Sequence, residues 1–456
     1  MARRLSRSQD GRPAAPVRIV HLGMGNFFRA HQAMYTDRAP DAAQWGIAAF
    51  TGRSLGIVPE MQQQDNLYTL VVQNPEGNEY QVISSLSATH SGTDVEQLLE
   101  YFRSPELAIV TSTITEAGYL PKPGGGLDAD NPAVQGDIEA IKAGNLAAVT
   151  TAPGKFAAGL IARRDAGAGP ITFCPCDNVP DNGEMVAHVV RDIAALVDPS
   201  LPEWVEENVG FATTMIDRIT PAISVEALQA ITDDTDIEDP VAVATEPFTE
   251  WVIAGDFKAG RPRWEDAGAT FVDDITPHEL RKLWLLNGSH SLMAYAATIV
   301  GRPTVYEAIS DPVVSGWVNQ WWDVAAKHLP LPADEVTAYR EALLERFGNP
   351  RMKDQLARIA ADGSVKIPIR IVPALNAERA AGGEPIGAER AVAAWTLHLR
   401  GVGAPFQDAN AGALAGLGDG TLEESVEKVC DYLGIPDAGA RASVLVLARE
   451  LEAAAV

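Results

Sequence analysis

The segment Lys282-Leu-Trp-Leu-Leu-Asn287-Gly-Ser-His290 lies in a long apolar stretch with helix-forming character. With Lys282 as reference, an α-helix turning about 100° per residue puts His290 about 80° and Asn287 about 140° around its axis. Three polar groups then share one side of a helix otherwise built from residues such as Leu283, Leu285, Leu286 and Leu292. Apolar surroundings penalise a charged lysine and favour its neutral, basic form. An asparagine amide nearby can donate to an oxygen as it gains negative charge. This pairing suits oxidation of a secondary alcohol, in which a base takes the hydroxyl proton while hydride leaves carbon. The same spacing also fits a lysine snorkelling from a core helix and an asparagine in its last turn.

Other candidates follow apolar, strand-like runs. Asn178 comes after Pro170–Cys174, where a second amide donor or a turn residue is expected, since Asp181-Asn182-Gly183 reads as a loop. Thr115 and Glu116 come after Leu107–Thr111, and Glu116 can relay protons or cap a helix. Asp217 comes after a run ending at Met215 and can accept from substrate hydroxyls or pair with Arg218. Lys366 and Arg370 stand four apart around Pro368, able to hold polyol oxygens or to face solvent as surface cations. No histidine or cysteine spacing suits a metal, and no nucleophile motif stands out.

A redox reaction at carbon needs a hydride carrier, and the N-terminal part offers a place for one. Val17–Leu22 reads as a strand that runs into Gly23-Met24-Gly25-Asn26-Phe27-Phe28, then a helix over about Arg29–Arg38, then a second strand at Ile47–Phe50. Glycines at such a turn let backbone approach a pyrophosphate at a helix start. The third glycine of the usual fingerprint is replaced by Phe28. No acid ends the second strand; Thr51-Gly52-Arg53-Ser54 stands there instead, and Arg53 leaves a 2′-phosphate possible. The cofactor-contacting candidates are Gly23, Met24, Gly25, Asn26, Phe27, Arg53 and Thr115.

These residues require two scaffolds. Strand and helix patterns alternate to about residue 230, as a mainly parallel α/β sheet requires. A hairpin is expected from Leu67–Val72 and Tyr80–Leu86, a helix capped at Thr93, and a single strand over Gly210–Met215. From about residue 275 the pattern is almost wholly helical, with helices over Pro277–Ala296, Pro312–His328, Ala333–Phe347, Ala388–Leu399 and Leu422–Leu433. The expected organisation is a disordered tail over 1–16, a Rossmann-type domain over 17–272 and a helical substrate and catalytic domain over 273–456. Arg3, Arg4, Arg7 and Arg12 with no apolar run behind them make the tail basic and unlike a signal peptide.

The chain has 456 residues and a formal net charge of −25. Such a surface repels phosphate backbones and anionic lipids, which argues against nucleic-acid or membrane partners. Three cysteines, Cys174, Cys176 and Cys430, are too few for a disulfide framework and point to the cytoplasm.

Several segments together resemble the long-chain mannitol dehydrogenase family. They are Ile19-Val-His-Leu-Gly-Met-Gly-Asn-Phe-Phe-Arg-Ala-His31, Asp65-Asn-Leu-Tyr-Thr69, Thr113-Ile-Thr-Glu-Ala-Gly-Tyr119 and Cys176-Asp-Asn178. Asp217-Arg-Ile-Thr-Pro221, Trp251-Val-Ile, Gly260-Arg-Pro-Arg-Trp264, the Lys282 cluster and Asp362-Gly-Ser-Val-Lys-Ile-Pro368 continue the series in order.

The resemblance implies a zinc-independent polyol dehydrogenase using NAD, with NADP left open by Arg53. It implies a Rossmann-type domain, a helical domain and a site between them. Within it Lys282 is the general base, Asn178 and Asn287 the oxyanion-type pair, and His290 orients the substrate oxygen. Asp217, Lys366 and Arg370 contact substrate hydroxyls, and Glu116 belongs to a proton path. The leading expectation is D-mannitol to D-fructose. The alternatives are a hexuronate reductase on the same scaffold, acting on fructuronate, and a non-catalytic nicotinamide-binding sensor.

Overall fold

The computed structural model describes residues 2–52, 55–122, 125–351 and 354–456. The chain divides into two compact units, Met1–Thr276 and Pro277–Val456.

The first unit is built on a parallel sheet of β1 (Val17–Leu22), β2 (Gly46–Phe50), β3 (Leu86–His90), β4 (Ile109–Ser112), β5 (Ile171–Pro175) and β6 (Val209–Phe211). Their order is β3-β2-β1-β4-β5-β6, the doubly wound arrangement in which the first strand is central. Val20 lies opposite Ala48 on one side and Val110 on the other. Alternation sorts the strand residues onto two faces. Val20, Leu22, Phe50 and Val110 join one core, whereas Ile19, Ile47, Ala49 and Ile109 join another. Both faces are covered, so the strands are apolar almost throughout.

The expected strand over Gly210–Met215 is in fact two. The chain leaves β6 at Phe211, and Thr213–Asp217 pairs antiparallel with Glu250–Ala254 in a separate three-stranded sheet. Ala212 makes the switch: its N–H still donates to Phe173, while Gly255 lies against its backbone. The hairpin is present as Tyr68–Asn74 and Gly77–Ile83. The helix after β1 breaks at His31 into Asn26–Ala30 and Gln32–Arg38. The His31 ring packs among Phe27, Tyr35 and Trp251. The helix Val95–Arg103 is capped by Asp94, whose carboxylate accepts from the Gln97 N–H at 3.2 Å, and not by Thr93.

The N-terminal segment does not fray as expected. Arg3 exchanges backbone hydrogen bonds with Asp236 and Glu238, and Leu5 is buried. The Arg7 guanidinium donates to the Ser84 and Leu86 carbonyls at 3.0 and 2.7 Å, and Arg12 pairs with Asp37 at 2.6 Å. The arginines that make the segment look like a solvated tail are the groups that fasten it.

The second unit is helical. Its central helix, Ile386–Leu399, is buried around nearly its whole circumference and packs against Pro312–Ala325 and Ala438–Ala453. The expected helix over Pro277–Ala296 is continuous but not uniform. Thr276–Arg281 is α-helical, Lys282–Asn287 is wound as a π-helix, Gly288–Leu292 returns to α, and Met293–Ala297 is again π. No helix among the described residues is long and apolar enough to cross a membrane.

Candidate active site

In the first unit the candidates collect at the carboxyl ends of β1, β4 and β5, the edge where open α/β sheets bind ligands. Gly23 and Met24 turn the chain out of β1, their N–H groups donating to the Phe50 carbonyl at 2.9 and 2.8 Å. Gly23 has φ +103°, and a Cβ there would run into the Thr113 carbonyl oxygen. Around Gly25 the nearest atom to an added Cβ is the Gly23 oxygen at 3.8 Å, so this backbone is open to an approaching group. Asn26 starts the short helix and accepts from Arg29 at 2.7 Å, and Phe27 stacks on His31. The turn therefore has the two features a pyrophosphate needs: a tight reversal and uncovered backbone at a helix start. Arg53 lies outside the described residues.

A buried histidine braces this turn. The Thr113 hydroxyl donates to the Gly23 carbonyl at 2.8 Å, so it accepts from His21 Nε2–H at 3.0 Å. His21 Nδ1 is left to accept from the Thr111 hydroxyl at 2.8 Å. Full burial pushes the His21 pKa down to about 3, which keeps the ring neutral.

Glu116 begins the 3-10 turn Glu116–Tyr119 behind Thr115, and both are exposed. Asn178 is exposed just past β5, while its neighbour Asp177 is buried. Asp177 accepts from the Ile114 N–H at 2.6 Å, the Ser112 hydroxyl at 3.0 Å and the Tyr119 hydroxyl. Burial raises its pKa to about 6 against the opposing pull of these donors. Asn182 completes the frame, donating to the carbonyls of Asp177 and Thr214 at 3.0 and 2.8 Å. Asp177, Tyr119 and Asn182 thus fix the loops that carry Thr115, Glu116 and Asn178, although none was a candidate from sequence. Asp177 and Tyr119 stand inside the quoted motifs, but their partners are only visible in three dimensions.

Asp217 ends its strand and is buried. The next residue, Arg218, directs its guanidinium to the carbonyls of Ala30 and Glu246. Cys174 and Cys176 are buried free thiols, with the Cys176 thiol 3.4 Å from the Cys174 carbonyl.

The second unit gathers Lys282, Asn287, His290, Lys366 and Arg370. A π-helix bonds i to i+5 and turns less per residue than an α-helix. Lys282 and Asn287, about 140° apart on a regular α-helix, are thereby drawn toward a common face. Lys282, Asn287 and His290 are half-buried, whereas Trp284, Leu285, Leu286 and Ser289 are buried. The His290 ring lies 5.0 Å from that of Phe347. Arg370 donates to the Asn287 carbonyl at 3.3 Å and the Ser291 hydroxyl at 3.2 Å. Burial lowers its pKa to about 10, so it keeps its charge at neutral pH. Lys366 Nζ donates to the carbonyls of Ile359 and Ala361 at 3.1 and 2.5 Å. Its pKa is lowered by burial first, then by the charge of Arg370, and Arg358 acts in the same direction. Asp362 and Asp408 act in the opposite direction, and the exposed Arg358 is itself paired with Asp354 at 2.6 Å. Neither Lys366 nor Arg370 is a fully solvated surface cation. No group of three or more His, Cys, Asp and Glu among the described residues is placed to hold a metal ion.

The model of the mannitol dehydrogenase Rossmann domain matches residues 17–266, and that of the mannitol dehydrogenase C-terminal domain matches residues 274–417. This chain belongs to the mannitol dehydrogenase family. The family is one of oxidoreductases, and the Rossmann fold and helical unit described above are its two parts. The chain is 37% identical over 395 residues to D-mannonate oxidoreductase of Escherichia coli, covering 84% of this chain and 80% of that one. It is 34% identical over 409 residues to mannitol 2-dehydrogenase of Cereibacter sphaeroides, covering 88% and 84%. Among solved structures it is similar to D-sorbitol dehydrogenase in substrate-free form, with TM-score 0.89, 28% identity and coverage of 99% and 100%. It is also similar to Pseudomonas fluorescens mannitol 2-dehydrogenase in ternary complex with NAD and D-mannitol, with TM-score 0.79, 32% identity and coverage of 96% and 92%.

Proposed function

We propose that this enzyme moves a hydride between a secondary hydroxyl of an acyclic polyol and NAD, with D-mannitol to D-fructose as the first reaction to test. The observation that carries the reading is the π-wound stretch that draws Lys282 and Asn287 toward one face of a helix within the residues matched by the family's C-terminal domain. Bound NAD supplies the hydride acceptor, and the uncovered backbone at Gly25 fits its pyrophosphate. Lys282 Nζ takes the hydroxyl proton. The amide of Asn287 donates to the oxygen as it becomes a carbonyl, and His290 orients that oxygen. Asn178 is proposed as the second amide donor, and Asp217, Lys366 and Arg370 as ligands for the remaining hydroxyls. Glu116 is proposed to pass the proton onward. The buried free thiols suit a reducing compartment, and we place the enzyme in the cytoplasm.

A second reading is favoured by the pair of half-buried cations Lys366 and Arg370. Lys366 and Arg370 would suit a substrate carboxylate, and the Escherichia coli relative is a D-mannonate oxidoreductase. On that reading the substrate is a ketouronate such as fructuronate. Nicotinamide absorbance with a panel of polyols (with NAD and NADP) and of ketoses and ketouronates (with NADH and NADPH) separates the two. Mannitol oxidation with NAD, and fructose reduction with NADH, is expected. A kcat/KM for ketouronates at least about tenfold higher would install the second reading. Cofactor binding with no turnover of any panel member would replace both by a non-catalytic sensor.

A further inference from the structure

The π-wound stretch meets two unusual partners. The indole N–H of Trp321 donates to the Trp284 carbonyl at 2.8 Å, and that of Trp322 donates to the Leu285 carbonyl at 3.0 Å. Both tryptophans are fully buried on the helix Pro312–Ala325. Consecutive residues on an α-helix point about 100° apart, yet these two reach consecutive carbonyls of one turn. Gly288 makes the approach possible, because a Cβ there would lie 2.7 Å from the Trp321 ring. On the other side, Gly387 lets the central helix close on the Trp321 backbone. The Ser289 hydroxyl adds a donor to the Leu285 carbonyl at 2.5 Å.

A π-helix is rare, because its hydrogen bonds come with a wider backbone that packs less well on itself. It persists where surrounding groups favour it over the α alternative. Carbonyls that tilt away from the axis can take a second donor, and a buried indole N–H needs an acceptor. Rewinding 282–287 as α would move the Trp284 and Leu285 carbonyls and strand two indole donors in the core. Leaving a buried donor unsatisfied is costly.

We infer that Trp321 and Trp322 are positioning residues whose indole N–H groups hold the Lys282–Asn287 turn in its wide winding and so set the place of Lys282 and Asn287. The inference rests on the proposed role of Lys282 as the base. Neither tryptophan is assigned a contact with substrate. Each acts through the carbonyl it binds.

The test uses Trp321→Phe and Trp322→Phe separately, since each keeps an aromatic ring and removes the N–H. Gly288→Ala, which displaces the Trp321 ring, serves if either variant does not fold. Three readouts are taken on the full chain: the crystal structure of residues 276–298, the affinity for NAD, and kcat across pH. We expect i→i+5 bonding to be lost or shortened and NAD affinity to hold within about twofold. We expect kcat to fall at least about tenfold, since small misplacements of reacting groups are costly, and the pH profile to shift. An unchanged winding in folded variants overturns the inference. Rewinding with unchanged kcat and pH profile overturns instead the role given to Lys282, and Lys282→Ala with wild-type turnover would do so directly.

Discussion

Arg370 lies 3.3 Å from the carbonyl oxygen of Asn287, so the residue proposed to hold the substrate oxygen is braced by the guanidinium of a half-buried arginine from another helix. Arg370 therefore has two tasks open to it: a brace for the turn and a cation for the ligand. Its second donor contact, to Ser291, lies one turn further along the same helix. Both bonds leave one guanidinium nitrogen, Nη1, and Arg370→Lys keeps a charge but loses the rigid planar group that aims it. We expect kcat/KM to drop about tenfold in that variant. Arg370→Ala should lower unfolding free energy by about 1–3 kcal/mol, the cost of an acceptor left without its donor. Urea titration and steady-state kinetics check the two effects.

The two glycines after β1 should respond in opposite ways. Gly23 combines a positive φ with the Thr113 carbonyl in the path of a side chain. Gly23→Ala is expected to cost roughly 2 kcal/mol or more of stability through strain and overpacking. Gly25 is extended, and nothing approaches an added Cβ closer than 3.8 Å. Gly25→Ala should leave Tm unchanged while raising the Kd for NAD several-fold, because the methyl group would occupy the space left for pyrophosphate. Thermal unfolding and fluorescence titration with NAD decide this. Tight NAD binding in Gly25→Ala would remove the turn from the cofactor site.

Much of this scaffold is written locally. β1 runs over Val17–Leu22 and the Ala333–Phe347 helix has the bounds its pattern implies, because apolar period and turn residues are short-range signals. The fastened N-terminus is not readable that way, since the partners of Arg3, Arg7 and Arg12 include Asp236, Ser84 and Asp37. The sheet switch at Ala212 depends on Gly255, more than forty residues later. The wide turn at Lys282 is hidden for a similar reason. Its apolar pattern is that of an α-helix, and the indoles that favour the wider form come from Trp321 and Trp322. The candidate residues were legible by type, but the groups that orient them were not.

Asp177 should give the fold a pH dependence. Its pKa is about 6 in the folded chain and 3.8 as the ordinary value. Between these values the folded state holds a proton that the unfolded state has released. Stability is therefore fully supported below about pH 4 at this site and falls as pH rises through 6. The linkage is on the order of 3 kcal/mol. The Tyr119 hydroxyl opposes this by donating to the carboxylate. Tyr119→Phe removes that donor, so the Asp177 pKa should rise further and the loss of stability should extend toward neutral pH. Denaturation midpoints measured from pH 4 to 8 for wild type, Tyr119→Phe and Asp177→Asn check the sign. A Tyr119→Phe curve parallel to wild type would refute the coupling.

Lys282 is the residue on which the chemistry turns. Removing its amine leaves the Arg370 brace on Asn287 and the glycine turn in place, since neither Arg370 contact nor the Gly23 contacts involve its side chain. Lys282→Ala should accordingly fold and bind NAD with affinity within about twofold of wild type. Its kcat for polyol oxidation should fall at least about 10²-fold, the lower range of a positioned general base. Small primary amines added to the assay should restore part of the rate, because they can enter the space the side chain leaves and take the same proton. Lys282→Met offers a control of similar length with no basic atom, and should be as slow as alanine without responding to amines. If both variants turned over polyol at the wild-type rate, proton removal would have to be reassigned, with His290 the next group to test.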